Sequence, residues 1–373
     1  MKVLLIATVQ SHIVQFHKPL VEMLHDAGYE VHAAARNNLA EKNGLALDFV
    51  DKVFDLPFQR SPFSLKNITA YRELKHIISR EHYDVIHCNT PVGGVLGRLA
   101  AQSSRKKGTK VFYTAHGFHF YKGASKINWL LWYPIEKYFA EHFTDKLITI
   151  NLEDYALASV KFACQVEHIW GVGVNETRFY PIDDAHKAEL REKMGFANKI
   201  LILNVGELLP NKNQHMAIEL MPNLLAQFPN TVLLIAGNGP ERVNLEKQIK
   251  VLGLQDNVKL LGYVSNIPDY FHIADVLVAC SIREGLGLNV IEAMMSGVPA
   301  VAADNRGHRE LLSNQRYSTL VPVNDSLAMC ECLADLLTHK EIYAACVEDA
   351  YRQSLNYTSA NAKKCLARIY EVN

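Results

Sequence analysis

Two glutamates separated by seven residues stand in Arg283-Glu284-Gly285-Leu286-Gly287-Leu288-Asn289-Val290-Ile291-Glu292, which continues as Ala293-Met294-Met295-Ser296-Gly297-Val298-Pro299. A carboxylate accepts two hydrogen bonds at once, so each glutamate suits the vicinal hydroxyls of a ribose or a hexose. Gly285 and Gly287 permit close backbone approach. The amides of Gly287, Leu288 and Asn289 would then open a helix whose N-terminus attracts a phosphate or a sugar hydroxyl. On spacing alone, a helix cap and a surface residue would explain the pair. The glycines and the continuation favour a ligand.

A second group lies in Val205-Gly206-Glu207-Leu208-Leu209-Pro210-Asn211-Lys212-Asn213. A flexible ammonium in a loop between strand and helix is suited to clamping phosphate, and the upstream Gly206 separates Lys212 from an ordinary surface lysine. His116, followed by Gly117, sits at the carboxyl end of an expected strand, where an imidazole can donate to a sugar hydroxyl or to an acceptor. His119 and the pair Ser11-His12 are weaker acceptor-side candidates. Asn238, in Gly237-Asn238-Gly239-Pro240, marks by itself only a tight turn. Between residues 118 and 139, Tyr121, Trp129, Leu130, Leu131, Trp132, Tyr133, Ile135 and Tyr138 alternate with Lys122, Lys126 and Lys137. That mixture suits a membrane interface and equally an amphipathic core helix. Residues 58–63 could edge an acceptor site.

These residues need elements to position them. Strands are expected at 2–9, 30–35, 84–88, 110–114 and 146–150, and again at 200–205, 231–236, 258–261, 275–279, 299–303 and 318–321, with helical patterns between. One helix is expected to run through Phe16, Leu20 and Leu24 to Gly28. Such alternation is the signature of parallel sheets covered by helices. Two series imply an α/β protein of two doubly wound domains, residues 1–172 and 173–355, with a terminal helix in 356–373 that packs back on the first domain. The glycines of 171–175 mark the hinge. Ligands of such sheets bind at the carboxyl ends of the strands, so the chemistry is expected in a cleft lined by both sets of loops.

Composition sets the frame. The chain has 373 residues, too many for one ordinary core, with 39 basic and 39 acidic residues and therefore no global attraction to nucleic acid. Seven scattered cysteines without a Cys-x-x-Cys pair read as reduced thiols in a reducing compartment, which predicts a cytoplasmic protein. No apolar run approaches the ~20 residues that span a bilayer, leaving surface attachment to the inner face of the membrane as the alternative. With no Asp-x-Asp motif, no metal is expected, and no cofactor is expected either.

The Glu-x7-Glu segment resembles the signature of retaining glycosyltransferases of family 4, which have the GT-B fold of two facing Rossmann-like domains. The similarity covers nearly the whole chain. His87-Cys88-Asn89-Thr90-Pro91-Val92-Gly93-Gly94, Tyr113-Thr114-Ala115-His116-Gly117-Phe118-His119-Phe120-Tyr121 and Ile150-Asn151-Leu152-Glu153-Asp154-Tyr155 are similar to bacterial capsular and exopolysaccharide members. The resemblance implies that Glu292 binds the donor ribose, Glu284 holds the donor sugar and Lys212 neutralises the diphosphate. It also implies that the Gly237-Asn238-Gly239-Pro240 loop approaches the diphosphate, that Gly262-Tyr263-Val264 contacts the base through its backbone and that His116 lies near the donor sugar. Asn305-Arg306-Gly307-His308-Arg309-Glu310 continues the likeness without an implied role.

Two positions depart from the family. Glu207 stands where an arginine is usual, leaving Arg283 or Arg309 as the second cation, and Gln10-Ser11-His12 replaces a glycine pair. The implied activity is hexosyl transfer from a nucleotide diphosphate sugar, by resemblance a uridine diphosphate sugar with an N-acetylhexosamine among the candidate sugars, to a lipid-linked or saccharide acceptor. A nucleotide-sugar epimerase and a non-catalytic nucleotide-sugar-binding subunit are the alternatives. The first turn, Thr8-Val9-Gln10-Ser11-His12, lacks Gly-x-Gly-x-x-Gly, which argues against a dinucleotide-binding protein.

Overall fold

The computed structural model describes residues 1–42 and 44–372. Among these, two parallel sheets account for every named strand. The first has seven strands: β1 Lys2–Val9, β2 Glu30–Arg36, β3 Lys52–Asp55, β4 Val85–Asn89, β5 Lys110–Ala115, β6 Lys146–Thr149 and β7 Gln165–His168, in the order β3-β2-β1-β4-β5-β6-β7. The second has six: β8 Ile200–Val205, β9 Thr231–Ala236, β10 Val258–Gly262, β11 Val276–Ala279, β12 Ala300–Ala303 and β13 Leu320–Val321, in the order β10-β9-β8-β11-β12-β13. Parallel neighbours need crossovers, and helices supply them. The chain winds outward from β1 to β3, then returns to build β4 to β7 on the other side. The second sheet repeats this around β8. Reversal of winding direction places helices on both faces, which is the two Rossmann-like units expected from the sequence.

Burial follows the winding. Central strands are apolar along their whole length because both faces are covered: Val3 to Ala7 in β1 and Leu201 to Leu203 in β8 are fully buried. Each unit has its own core, one around Leu4, Ile6, Phe58, Leu74 and Tyr113, the other around Ile202, Leu208, Met221, Leu233 and Val278.

One compact unit is Met1–Gly173 together with the terminal segment from Ser359, and the other is Val174–Thr358. The helix Ser359–Tyr370 belongs to the first unit through specific bonds: the Tyr370 hydroxyl lies 2.6 Å from His87 Nδ1, and Lys146 Nζ donates to the Ile369 carbonyl at 2.6 Å.

Three expectations are corrected. The helix after β1 is two helices, Gln10–Phe16 and Lys18–Asp26, separated at His17. Pro19 has no N–H and would clash with the carbonyl of Gln15 in a continuous helix, so the break has a local cause. β3 and β7 were not anticipated. Both are four-residue edge strands carrying charges, and their pattern is too short to read.

Candidate functional site

In a doubly wound sheet the switch point is where strand order reverses, between β8 and β11 in the second unit. The loops leaving these two strands carry Lys212 and Glu284. Asn211 joins them: its amide nitrogen donates to the Arg283 carbonyl at 2.9 Å, and its carbonyl accepts from the Ile282 N–H at 2.8 Å. This clip holds Lys212 Nζ 2.5 Å from Glu284 Oε1. Burial pushes the Glu284 carboxyl up, but the charge and hydrogen bond of Lys212, then Ser281 and His308, outweigh it and hold the group below the usual glutamate range. The residue is ionised and paired at neutral pH.

Gly287, at φ +99°, caps the helix Leu288–Met295, a conformation that side chains rarely adopt. A Cβ there would also stand 3.0 Å from the His308 ring, whose Nε2 is buried without a hydrogen-bond partner among the described residues. Leu288 opens the helix. Asn289 is turned back to the sheet, donating to the Val205 carbonyl at 3.0 Å. Glu292 lies one turn further, half-buried, and burial pushes its carboxyl up to about 7 against the opposing charge of Arg178.

The glycine loops after β8 and β9 interlock. Gly206 lies against the Lys212 side chain, and a Cβ on Gly237 would strike the Gly206 carbonyl. The Leu208 N–H donates to the Asn238 carbonyl at 2.9 Å, and the Gly237 N–H to that of Gly262 at 2.7 Å. Asn238 is thereby set beside Gly262, ahead of exposed Tyr263 and half-buried Val264. The two cations weighed as substitutes for the usual arginine are both exposed, and Arg309 is engaged by Asp304 at 2.9 Å. Arg306, given no role from sequence, is buried with its Nε 3.4 Å from the Glu284 carbonyl.

The first unit has its own switch point, between β1 and β4. There Thr90 adopts φ +63°, strained for a β-branched residue, and its hydroxyl meets that of Thr8 at 2.7 Å. His116 follows β5. Its Nε2 lies 3.2 Å from His12 Nε2 and 3.3 Å from Asn89 Oδ1. Burial holds the His116 imidazole down at about 4, and burial and the neighbouring rings hold His12 well below its usual range. Both rings are neutral at pH 7, so one Nε2 donates and the other accepts. Ser11 is buried and doubly bonded to Asn38, which anchors the turn. The His119 ring lies 5.2 Å from that of Trp132. His17 and Asn89 join this cluster without having been singled out, because His17 follows the helix break.

Comparison with known proteins decides the family. The family model described as "Glycosyl transferase 4-like" matches residues 2–151, and that described as "Glycosyl transferases group 1" matches residues 186–353. EpsD of Bacillus subtilis (strain 168), provisionally named a glycosyltransferase, is 41% identical over 372 residues, covering 99% of this chain and 96% of its own. The chain belongs to the family 4 glycosyltransferases. A UDP-Gal:alpha-D-GlcNAc-diphosphoundecaprenol alpha-1,3-galactosyltransferase of Escherichia coli is 28% identical, covering 78% of this chain and 76% of its own. Anabaena HepE, solved with UDP and glucose, superposes with a TM-score of 0.79 at 21% identity, covering 100% of this chain and 99% of that one. That likeness establishes the GT-B fold.

Proposed function

We propose that this glycosyltransferase moves a hexose, with retention at the anomeric carbon, from a uridine diphosphate sugar to a lipid-linked or saccharide acceptor in cell-surface polysaccharide synthesis. The observation that carries the reading is the Lys212–Glu284 pair beside the glycine-capped helix at the switch point of the second sheet. Glu292 receives the ribose hydroxyls, Glu284 the donor sugar, and Lys212 the diphosphate. The bond from the anomeric carbon to the phosphate oxygen breaks as that to the acceptor oxygen forms on the same face. The leaving diphosphate keeps the electron pair and accepts the acceptor's proton, so no enzyme nucleophile is needed. Lys212 and the amides opening the helix stabilise the charge that develops on it. Arg306 supplies the second cation that Glu207 cannot. His116 orients the reacting sugar or acceptor.

The E. coli relative named for a diphosphoundecaprenol acceptor supports a lipid-linked acceptor. A panel of nucleotide diphosphate sugars screened by thermal shift, then mass spectrometry with undecaprenyl-linked acceptors, tests the reading. Uridine diphosphate sugars are expected to stabilise the protein and one to be transferred. Conversion of the donor to its epimer without acceptor would replace the reading.

The acceptor also bears on where the enzyme works, which we place at the inner face of the cytoplasmic membrane. No described helix is long and apolar enough to cross a membrane. Along the helix Lys126–Phe143, Trp129, Trp132 and Tyr133 pack on the first unit's core, while Ile127, Leu130 and Leu131 are 73%, 81% and 48% exposed beside Lys122 and Lys126. The tryptophans are therefore structural, and the aliphatic residues are the membrane-facing set. Replacing Ile127 and Leu130 by serine is expected to weaken sedimentation with anionic liposomes by about tenfold or more, since burying one such side chain is worth roughly 1.5–3 kcal/mol. Unchanged sedimentation would remove the membrane contact.

A further inference from the structure

We propose that His12, His17 and His116 form a binding site for one divalent transition-metal ion of the zinc class. The proposal rests on the geometry of the first unit and not on the donor site of the second, although it engages His116, which the glycosyl-transfer reading places at the sugar or acceptor. It departs from the expectation, drawn from the lack of an Asp-x-Asp motif, that the chain holds no metal.

Three imidazoles meet here from separate parts of the chain. His12 and His17 are five residues apart, which on one continuous helix would place them about 140° apart around the axis. The break at His17 removes that constraint. The ring centroids of His12 and His116 lie 4.5 Å apart, those of His12 and His17 5.3 Å, and those of His17 and His116 5.4 Å. One ring nitrogen from each lies within 4.8 Å of the other two.

The 3.2 Å between the Nε2 atoms of His12 and His116 is near the edge of a tetrahedron built on zinc–nitrogen bonds, about 3.3 Å. The third nitrogen needs to close by at most about 1.5 Å, a displacement that takes a swing of its side chain about Cα–Cβ. His17 is 4% exposed, and its Nε2 is buried with no hydrogen-bond partner among the described residues, an unmet need that a metal would satisfy. Asn89 Oδ1, 3.3 Å from the ligating nitrogen of His116, offers an oxygen for the fourth position. His12 and His116 are half-buried, which leaves a route from solvent. Neutral imidazoles favour zinc, copper, nickel or cobalt over magnesium or calcium.

Titration of tag-free protein with Co2+, followed by visible ligand-field absorption, tests the site. The expected result is one Co2+ per chain with imidazole-type bands, displaced by one equivalent of Zn2+. His17→Gln is expected to weaken binding by at least about tenfold, the lower end of the cost of even an outer-shell change. Because His17 is buried, that variant can misfold. His12→Gln, at a half-buried position, is the second variant, with far-ultraviolet circular dichroism confirming its fold, and the same loss is expected. Absence of saturable stoichiometric binding, a thiolate-type spectrum from any of the seven cysteines, or unchanged affinity in folded His12→Gln would overturn the proposal.

Discussion

Lys212→Ala is expected to lower the turnover number by about 10²–10³-fold, the usual cost of removing one preorganised stabiliser of developing negative charge. The side chain is placed for this by its turn, since the Asn211 clip to residues 282 and 283 fixes the ammonium against Glu284 at 2.5 Å. Charge on the leaving diphosphate grows toward the transition state, so the loss should fall mainly on kcat and less on the Michaelis constant for the donor. Lys212→Arg keeps the charge but changes shape and reach, and should recover only part of the rate.

The same variant changes the free protein. Glu284 is held below its usual range, so it contributes stability that is present above the unfolded value and lost as pH falls through the folded one. Without the ammonium, burial dominates and the sign reverses: the carboxyl rises, and stability then falls as pH rises. Thermal melting of the variant between pH 4 and 8 should show this reversed slope. Wild-type turnover in Lys212→Ala would take the lysine out of the mechanism.

The sequence was most legible where one residue pattern decides one element. β8 and β9 lie at their expected bounds because Ile200–Leu203 and Val232–Ala236 are uninterrupted apolar runs close to turn residues. Of the two glycines that follow Glu284, Gly287 at φ +99° holds backbone that side chains rarely adopt. β3 and β7 escaped because Lys52–Asp55 and Gln165–His168 are edge strands with charged, partly exposed side chains. The histidine cluster escaped for a different reason: proximity of residues 12, 17, 89 and 116 is set by strand order, which a local pattern does not encode. Arg306 was passed over for Arg283 and Arg309, since burial of a cation beside a backbone carbonyl leaves no trace in composition. Glu292 was legible in position but not in protonation, because burial raises its carboxyl and the opposing charge of Arg178 does not outweigh it as Lys212 does for Glu284.

That last difference yields a prediction with two opposite signs. At pH 8 the Glu292 carboxylate is ionised and available to accept both ribose hydroxyls, so Glu292→Gln should weaken UDP binding by about 10–100-fold, the worth of one charge-assisted hydrogen bond or slightly more. Wild-type affinity should fall as pH drops through 7, where the carboxyl takes its proton, and the variant should lack that inflection. Stability runs the other way. The folded state binds a proton between 4.5 and about 7 that the unfolded state has released, so the contribution of Glu292 to stability is full below 4.5 and is lost as pH rises through 7. At pH 8 a neutral isostere escapes the cost of burying charge, and Glu292→Gln without ligand should be more stable than the natural protein by about 1–3 kcal/mol. Calorimetry with UDP at pH 6 and 8, beside melting curves of the free proteins, reads both arms. A variant that melts higher at pH 8 yet binds more weakly is a residue kept for its ligand at the expense of the fold. Equal affinity for UDP would deny Glu292 the ribose, and equal melting would place its carboxyl in water.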